Sequence, residues 1–276
     1  MIYGNIDGIK KSFLEDLENL YKSKVTKSEM CNNEIINVIS RITSLIDREV
    51  SVVIDRKGKI VSVSIGDSTS VEISMIDISE KRLSGVRVIH THPNGYSNLS
   101  ALDISALIKL KLDAIVAIGV LDNKITDCTY GILAINNDAL DYEEINNLSV
   151  DELINVKILD KIKYIEDAIK ENDIQEDLSE KAILVGSDTK ESLLELVELT
   201  KACDIPVLDT VFQSRNKIDV AFYIGRGKVL EIASLRQSLH ANLVIFDDEL
   251  SGSQVRNLES AIGAKVIDRT TLILEI

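Results

Sequence analysis

The 276-residue sequence lacks any apolar run long enough to cross a bilayer. Its longest uncharged apolar stretch is Ala114 to Leu121, against the roughly 20 residues that a spanning helix needs. The start, MIYGNIDGIKK, has no basic segment followed by an apolar core, so no signal peptide is expected. Cysteine is scarce and odd in number. Cys31, Cys128 and Cys203 are scattered, which argues against a disulfide framework and fits buried thiols in a reducing, cytoplasmic setting. Positive charge is also in deficit, with 31 Lys and Arg against 45 Asp and Glu and a net charge of −14. Binding nucleic acid through bulk charge is therefore excluded, because neutralising phosphates takes Lys and Arg. The deficit is uneven. Residues 1–180 carry 20 basic against 31 acidic side chains, and residues 181–276 carry 11 against 14. Only the C-terminal part has room for a local basic patch. Internal repeats and low-complexity tracts are missing, as is any G-x-x-x-x-G-K-[ST] phosphate loop.

What is present is enough apolar sequence, 45%, for real cores, and a length that suggests two domains. The stretch IKKSFLEDLENLYKSK spaces Phe13, Leu14, Leu17, Leu20 and Tyr21 as a helix does, and a second helix is expected from about Asn33 to Arg48. The period then shortens. VSVVID and KIVSVSIG flank a turn at Arg56-Lys57-Gly58 and read as a hairpin, with VEISMI as a possible third strand and RVIHTH as a fourth. A helix over 100–112, strands at DAIVAIGVL and ITDCTYGILAI, and polar helix over 141–170 follow. Residues 171–180, ENDIQEDLSE, hold five acids and no base, and the boundary is set there: domains of 1–178 and 179–276. Beyond it, KAILVG, IPVLDTVFQ and ANLVIFDD read as strands that alternate with three helices. The first of these helices opens with Asp188 as candidate N-cap, and the third has a Ser cap and a Gly stop. AKVIDRTTLILEI is expected to be a final strand or two short ones. Strands alternating with helices predict a largely parallel α/β sheet in this part, and a mixed sheet flanked by helices is expected in the first.

The stretch HTHPNGYSNLSALD, residues 90–103, concentrates two of the three histidines and one of the two prolines. On a strand, His90 and His92 project from one face, and imidazole suits zinc. Pro93 cannot continue a central strand, so the pair sits at a strand end. The loop from Asn94 to Leu99 delivers a helix whose first turn carries Asp103. Two histidines, a carboxylate and a water make an open zinc site. The same letters also read as plain structure, with Ser100 as an N-cap and Asp103 near the positive end of the helix dipole.

The whole pattern is His-x-His-Pro, seven residues between His92 and Ser100, then Ser-x-x-Asp. It resembles the JAMM (MPN-type) zinc metallopeptidase motif, and the RadC-like branch is the closer match, over about Arg48 to Leu133. DREVSVVIDRKGKIVSVSIGD resembles that branch's opening hairpin, and VIHTHPNGYSNLSALDISAL its metal loop. The resemblance implies zinc held by His90, His92 and Asp103. It implies Ser100 beside the bound water or developing oxyanion, and Glu49 as general base in hydrolysis of a peptide or isopeptide bond. Asp47 and Glu72 are nearby carboxylates that compete with Glu49 for that role.

In the C-terminal part, Tyr223-Ile-Gly-Arg-Gly-Lys228 sets two glycines ahead of a helix. Backbone amides at such a start can hold a phosphate, with Arg226 and Lys228 beside them; taken alone, these letters read first as a simple turn into a helix. Phe246-Asp-Asp-Glu249 crowds three acids at a strand end, for a metal or for capping and solvation. Asp268-Arg269-Thr270 reads as an ion pair or polar contact. KAILVGSDTKESLLELVELTKA, DTVFQSRNKIDVAFYIGRGKVLEI, ANLVIFDDELSGSQVRNLE and AKVIDRTTLILEI together resemble the N-terminal domain of the HflX GTPases, over residues 181–276. The segment Asn216–Val220 departs from the prolines usual there. The resemblance implies a cytoplasmic GTPase that associates with the large ribosomal subunit. Arg215, Lys217, Gly225, Arg226, Gly227 and Lys228 would be its ribosomal RNA and phosphate contacts. GTP and magnesium would belong to a GTPase domain beyond Ile276, making these residues an N-terminal fragment of a longer protein.

Overall fold

The computed structural model describes residues 1–66, 83–136, 139–171, 175–176, 179–214 and 218–274. The chain divides into two units, Met1–Asp177 and Leu178–Ile276.

Among its described residues the first unit has eight strands: β1 (Tyr3–Gly4), β2 (Val50–Asp55), β3 (Ile60–Ile65), β4 (Val86–His92), β5 (Ala114–Leu121), β6 (Lys124–Asn136), β7 (Ala139–Leu148) and β8 (Gln175–Glu176). They form one mixed sheet in the order β1-β3-β2-β4-β5-β6-β7-β8. The expected hairpin is present as β2 and β3, antiparallel, while β4 and β5 run parallel. Its turn needs glycine. Gly58 has φ +80°, and a Cβ there would lie 1.8 Å from the Val25 carbonyl oxygen. The helices are α1 (Lys11–Asn19), α2 (Asn33–Ile46), α3 (Ala101–Lys109), α4 (Val150–Ile154) and α5 (Leu159–Glu171). Asn32 caps α2 by accepting from the Ile35 N–H, and Ile35, Ile36, Ile39 and Ile42 are buried on its inner face.

The polar stretch over 141–170 is not all helix. Its first part, to Leu148, is β7, which pairs antiparallel with β6 from Asn136↔Ala139 to Cys128↔Leu148. Leu140 and Tyr142 alternate into the core. A long strand already in place selects its partner by pairing and by this alternation, and both override the poor strand propensity of Asp and Asn. The expected strand VEISMI, and Glu72 within it, lie outside the described residues.

In the second unit β9 (Ala182–Gly186), β10 (Val207–Phe212), β11 (Leu243–Phe246) and β12 (Lys265–Asp268) form an all-parallel sheet in the order β10-β9-β11-β12. Its helices are α6 (Lys190–Ala202), α7 (Arg226–Leu239), α8 (Gly252–Ile262) and α9 (Arg269–Leu274). Ser251 caps α8, and Gly263 at φ +76° ends it, as its flanking letters suggest. Two local expectations change. Thr189, not Asp188, caps α6 by accepting from the Ser192 N–H. The C-terminal stretch does not continue as strand. Asp268 accepts from the Thr271 N–H at 2.8 Å and from its hydroxyl at 2.7 Å, and so turns the chain into α9.

Cys31 and Cys128 are buried and Cys203 is half-buried. Burial pushes the Cys31 and Cys128 thiols up to about 12, which keeps them unreactive.

Candidate metal centre

Strand register brings the site together. Ser51 on β2 lies opposite His90 on β4. Carried two residues back from Ser51 and two residues on from His90, the same antiparallel register sets Glu49 opposite His92, on the same face. Between the histidines, Thr91 points to the other face. Its hydroxyl meets the Thr43 hydroxyl of α2 at 2.5 Å, accepts from the Val50 N–H at 2.9 Å and donates to the Val50 carbonyl at 3.2 Å. Thr91 thereby fastens β4 to the residue next to Glu49. With α2 over the Thr91 face and Asp103 of α3 reaching the histidines, helices cover both faces of the sheet.

The loop after β4 orients the second histidine. Gly95 has φ +80°, and the Asn94 side chain accepts from the Tyr96 N–H at 3.0 Å. This turns the Tyr96 carbonyl toward His92, whose Nδ1 lies 2.8 Å from it. A carbonyl only accepts, so Nδ1 carries the proton and Nε2 turns its lone pair inward. At the start of α3, Ser100 and Asp103 form a capping box. The Ser100 hydroxyl accepts from the Asp103 N–H at 3.1 Å and donates to Oδ2 at 2.7 Å, and the Ser100 N–H donates to Oδ2 at 2.8 Å. The box that caps the helix also aims the carboxylate.

Three ligand atoms therefore converge. His90 Nε2 is 3.0 Å from His92 Nε2 and 3.3 Å from Asp103 Oδ1. His92 Nε2 is 3.8 Å from Asp103 Oδ2 and 3.9 Å from Glu49 Oε1. One ligand atom from each of His90, His92 and Asp103 lies within 4.8 Å of the others, near the roughly 3–4 Å between donors that share an ion at about 2.0–2.2 Å, and two imidazoles with a carboxylate fit zinc in number and type. His90, His92 and Asp103 are the cluster of metal-binding type found among the described residues, and all three are buried. Burial alone would raise the Asp103 carboxyl. The neighbouring His90 and His92 and the Ser100 hydrogen bond outweigh it and hold the group below the ordinary carboxylate range. Glu49, half-buried, is the general-base candidate that reaches the cluster. Asp47 is instead the left-handed, exposed C-cap of α2.

The other candidate residues do not form a comparable site. Gly225 is the N-cap of α7, and its N–H donates to the Gln213 side chain at 3.3 Å. The Arg226 guanidinium lies over the Phe222 ring, and Lys228 pairs with Glu231 at 2.7 Å. Arg215 and Lys217 lie outside the described residues. Asp247 pairs with Arg269 at 3.1 Å and Asp248 accepts from the Ser187 hydroxyl at 2.7 Å, so these acids serve an ion pair and a hydrogen bond. Sequence reasoning missed the Tyr96 carbonyl and the Thr43–Thr91 clamp. A backbone acceptor leaves no trace in residue identity, and Thr43 is 48 residues from its partner.

Residues 190–276 match the family model described as "GTP-binding GTPase N-terminal". Similar curated proteins are GTPases HflX. That of Alkalihalophilus pseudofirmus is 43% identical over 115 residues, covering 39% of this chain and 26% of the relative. That of Caldanaerobacter subterraneus is 42% identical over 95 residues, 34% of this chain and 22% of the relative. That of Escherichia coli is 36% identical over 105 residues, 36% and 25%. The chain thus spans about a quarter of the length of the curated relatives it matches. A GTP-binding protein from Sulfolobus solfataricus, solved with GDP, aligns over 35% of this chain and 29% of its own, with 24% identity and a TM-score of 0.30. No helix among the described residues is long and apolar enough to cross a membrane.

Proposed function

We propose that this chain joins the ribosome-associating N-terminal region of an HflX-like GTPase to a JAMM-like zinc centre. The observation that carries the zinc reading is the convergence of His90, His92 and Asp103 from a strand and a helix, with Glu49 arriving by strand register from a third element. Zinc in such a setting supplies Lewis acidity toward a water and a scissile carbonyl. The chain's own part is separate. His90 and His92 present their Nε2 lone pairs, Asp103 offers Oδ1 while Ser100 occupies Oδ2, and the Tyr96 carbonyl keeps the His92 tautomer. Glu49 takes a proton from the attacking water and passes it to the leaving amine of a peptide or isopeptide bond. The test is the metal content of the purified chain beside His92→Ala and Asp103→Ala. Zinc near one per chain, lost in both folded variants, is expected. A folded chain that takes up no zinc when it is offered overturns the reading.

The GTPase reading rests on the sequence match over residues 190–276. GTP and magnesium would act elsewhere in the parent protein, since this sequence has no phosphate loop. Arg226 and Lys228 at the start of α7 are the described candidates for RNA phosphate contact. Co-sedimentation with large ribosomal subunits is expected, and is lost in the Arg226→Glu, Lys228→Glu double variant. Normal binding by that variant refutes the contact.

A further inference from the structure

On the other face of the first unit's sheet, a hollow of about 450 Å³ opens between α2 and the β5–β6 hairpin. It lies across the sheet from His90 and His92, because α2 covers the Thr91 face. Its walls are built. Asp122 and Asn123 both have positive φ, as a tight primed hairpin turn requires, and the Asn123 N–H is tied to the Ser44 hydroxyl of α2 at 3.0 Å. That bond closes one end. Asn37, Ser40 and Arg41 stand at helical spacing on α2 and face Asn123 and Lys124 of the hairpin across the hollow, with Val120 below. This is a polar stripe on a helix whose other face is isoleucine.

The polar groups here are donor-rich and largely uncommitted. The Ser40 side chain is 6% exposed and its hydroxyl has no hydrogen-bond partner among the described residues, an arrangement that ordinarily destabilises a fold. The Lys124 ammonium makes no ion pair among the described residues. Arg41 is steadied by Asp16 at 2.7 Å through one guanidinium nitrogen, which leaves the rest of its fork available. No described lining residue is acidic, in a chain whose net charge is −14. The hollow is open to solvent along its Asn37, Arg41, Asn123 and Lys124 rim, and the buried Ser40 hydroxyl lies at its wall.

We propose that this hollow binds a small oxyanion-bearing molecule, with Lys124 and Arg41 meeting the charge and Asn37, Asn123 and Ser40 hydrogen-bonding to it. The site is independent of the zinc reading. The hollow is larger than a single ion, so inorganic phosphate and acetate serve as probes of its charged end. Each is titrated into the full ¹⁵N-labelled chain at constant ionic strength. Saturable shifts of the Asn37 and Asn123 side-chain amides and of Lys124 are expected, while residues 90–103 stay unmoved. Phosphate alone saturating assigns a phosphate ligand; acetate saturating as well assigns the shared oxyanion chemistry. Affinity should fall at least tenfold in Lys124→Gln, which removes the charge from an exposed hairpin position and leaves the turn intact, and also in Ser40→Ala. Linear, non-saturating shifts with both ions overturn the proposal, as does an undiminished response in Lys124→Gln.

Discussion

Replacing Ser100 with alanine separates the two readings of the Ser-x-x-Asp signature. The hydroxyl makes two bonds, to the Asp103 N–H at 3.1 Å and to Oδ2 at 2.7 Å. Loss of the first is loss of an N-cap, about 0.5–2 kcal/mol of stability. Loss of the second frees the carboxylate, although the Ser100 N–H still holds Oδ2 at 2.8 Å. Removing an outer partner of a metal ligand typically weakens metal binding about 10–100-fold. At a fixed excess of free zinc, that factor subtracts a further 1.4–2.7 kcal/mol or so from stability by mass action. Ser100→Ala should therefore cost about 1 kcal/mol in chelator and roughly 2–4 kcal/mol in buffered zinc. Ser149 is the internal control. It forms the same capping box with Glu152, its hydroxyl donating at 2.7 Å, at the start of α4 in the same unit. Ser149→Ala should cost the same with and without zinc. The assay is urea unfolding under both conditions, with zinc affinity measured by chelator competition. A Ser100→Ala penalty that ignores zinc, with unchanged affinity, would refute the claim that the cap aims a ligand.

Two further outcomes follow from the same geometry. Glu49→Gln keeps the ligand set, so it should retain zinc while losing about 10²–10⁴-fold of any hydrolytic rate; activity that survives the change, or zinc lost with it, contradicts the assigned role. Asp268 gives a pH dependence. Burial would raise its carboxyl, but the bonds from Thr271 and the Leu250 N–H prevail and hold it below its ordinary 3.8. A depressed folded value contributes stability that is present above 3.8 and is lost as pH falls through the lower folded value. The difference in unfolding free energy between the chain and Asp268→Asn should thus be flat near neutral pH and shrink below 3.8; a difference independent of pH would show that the carboxylate is not the stabilising species.

Much of this was legible residue by residue. The β2–β3 hairpin announced itself by period and by Gly58, and the histidine pair by alternation. The caps of α3 and α8 were visible as Ser-x-x-Asp and as a Ser cap with a Gly stop. The β/α alternation after residue 181 already implied the parallel sheet. The misreadings share a cause. Residues 141–148 have polar letters that suit a helix, yet β6 pairs with them. Asp268-x-x-Thr271 is itself a turn signature and could have ended the last strand at Asp268, but the apolar residues after it suggested more strand. Asp188 and Thr189 both suit an N-cap, and only backbone geometry chose between them.

By itself, the sequence determined whatever depends on neighbours within a few residues. That covers which face His90 and His92 share, where Ser100 starts a helix, and why Gly58 and Gly263 end elements. Local sterics, side-chain alternation and capping bonds act over one turn or one pleat, so the letters suffice. Only the tertiary structure decided that Glu49 stands opposite His92, that the Tyr96 carbonyl sets the imidazole, and that α2 and a hairpin some 80 residues away enclose a donor-lined hollow. Those facts come from strand register and from packing between distant segments. Such contacts form only after long loops have closed, and each side chain's partner is then set by the fold rather than by its neighbours in the chain.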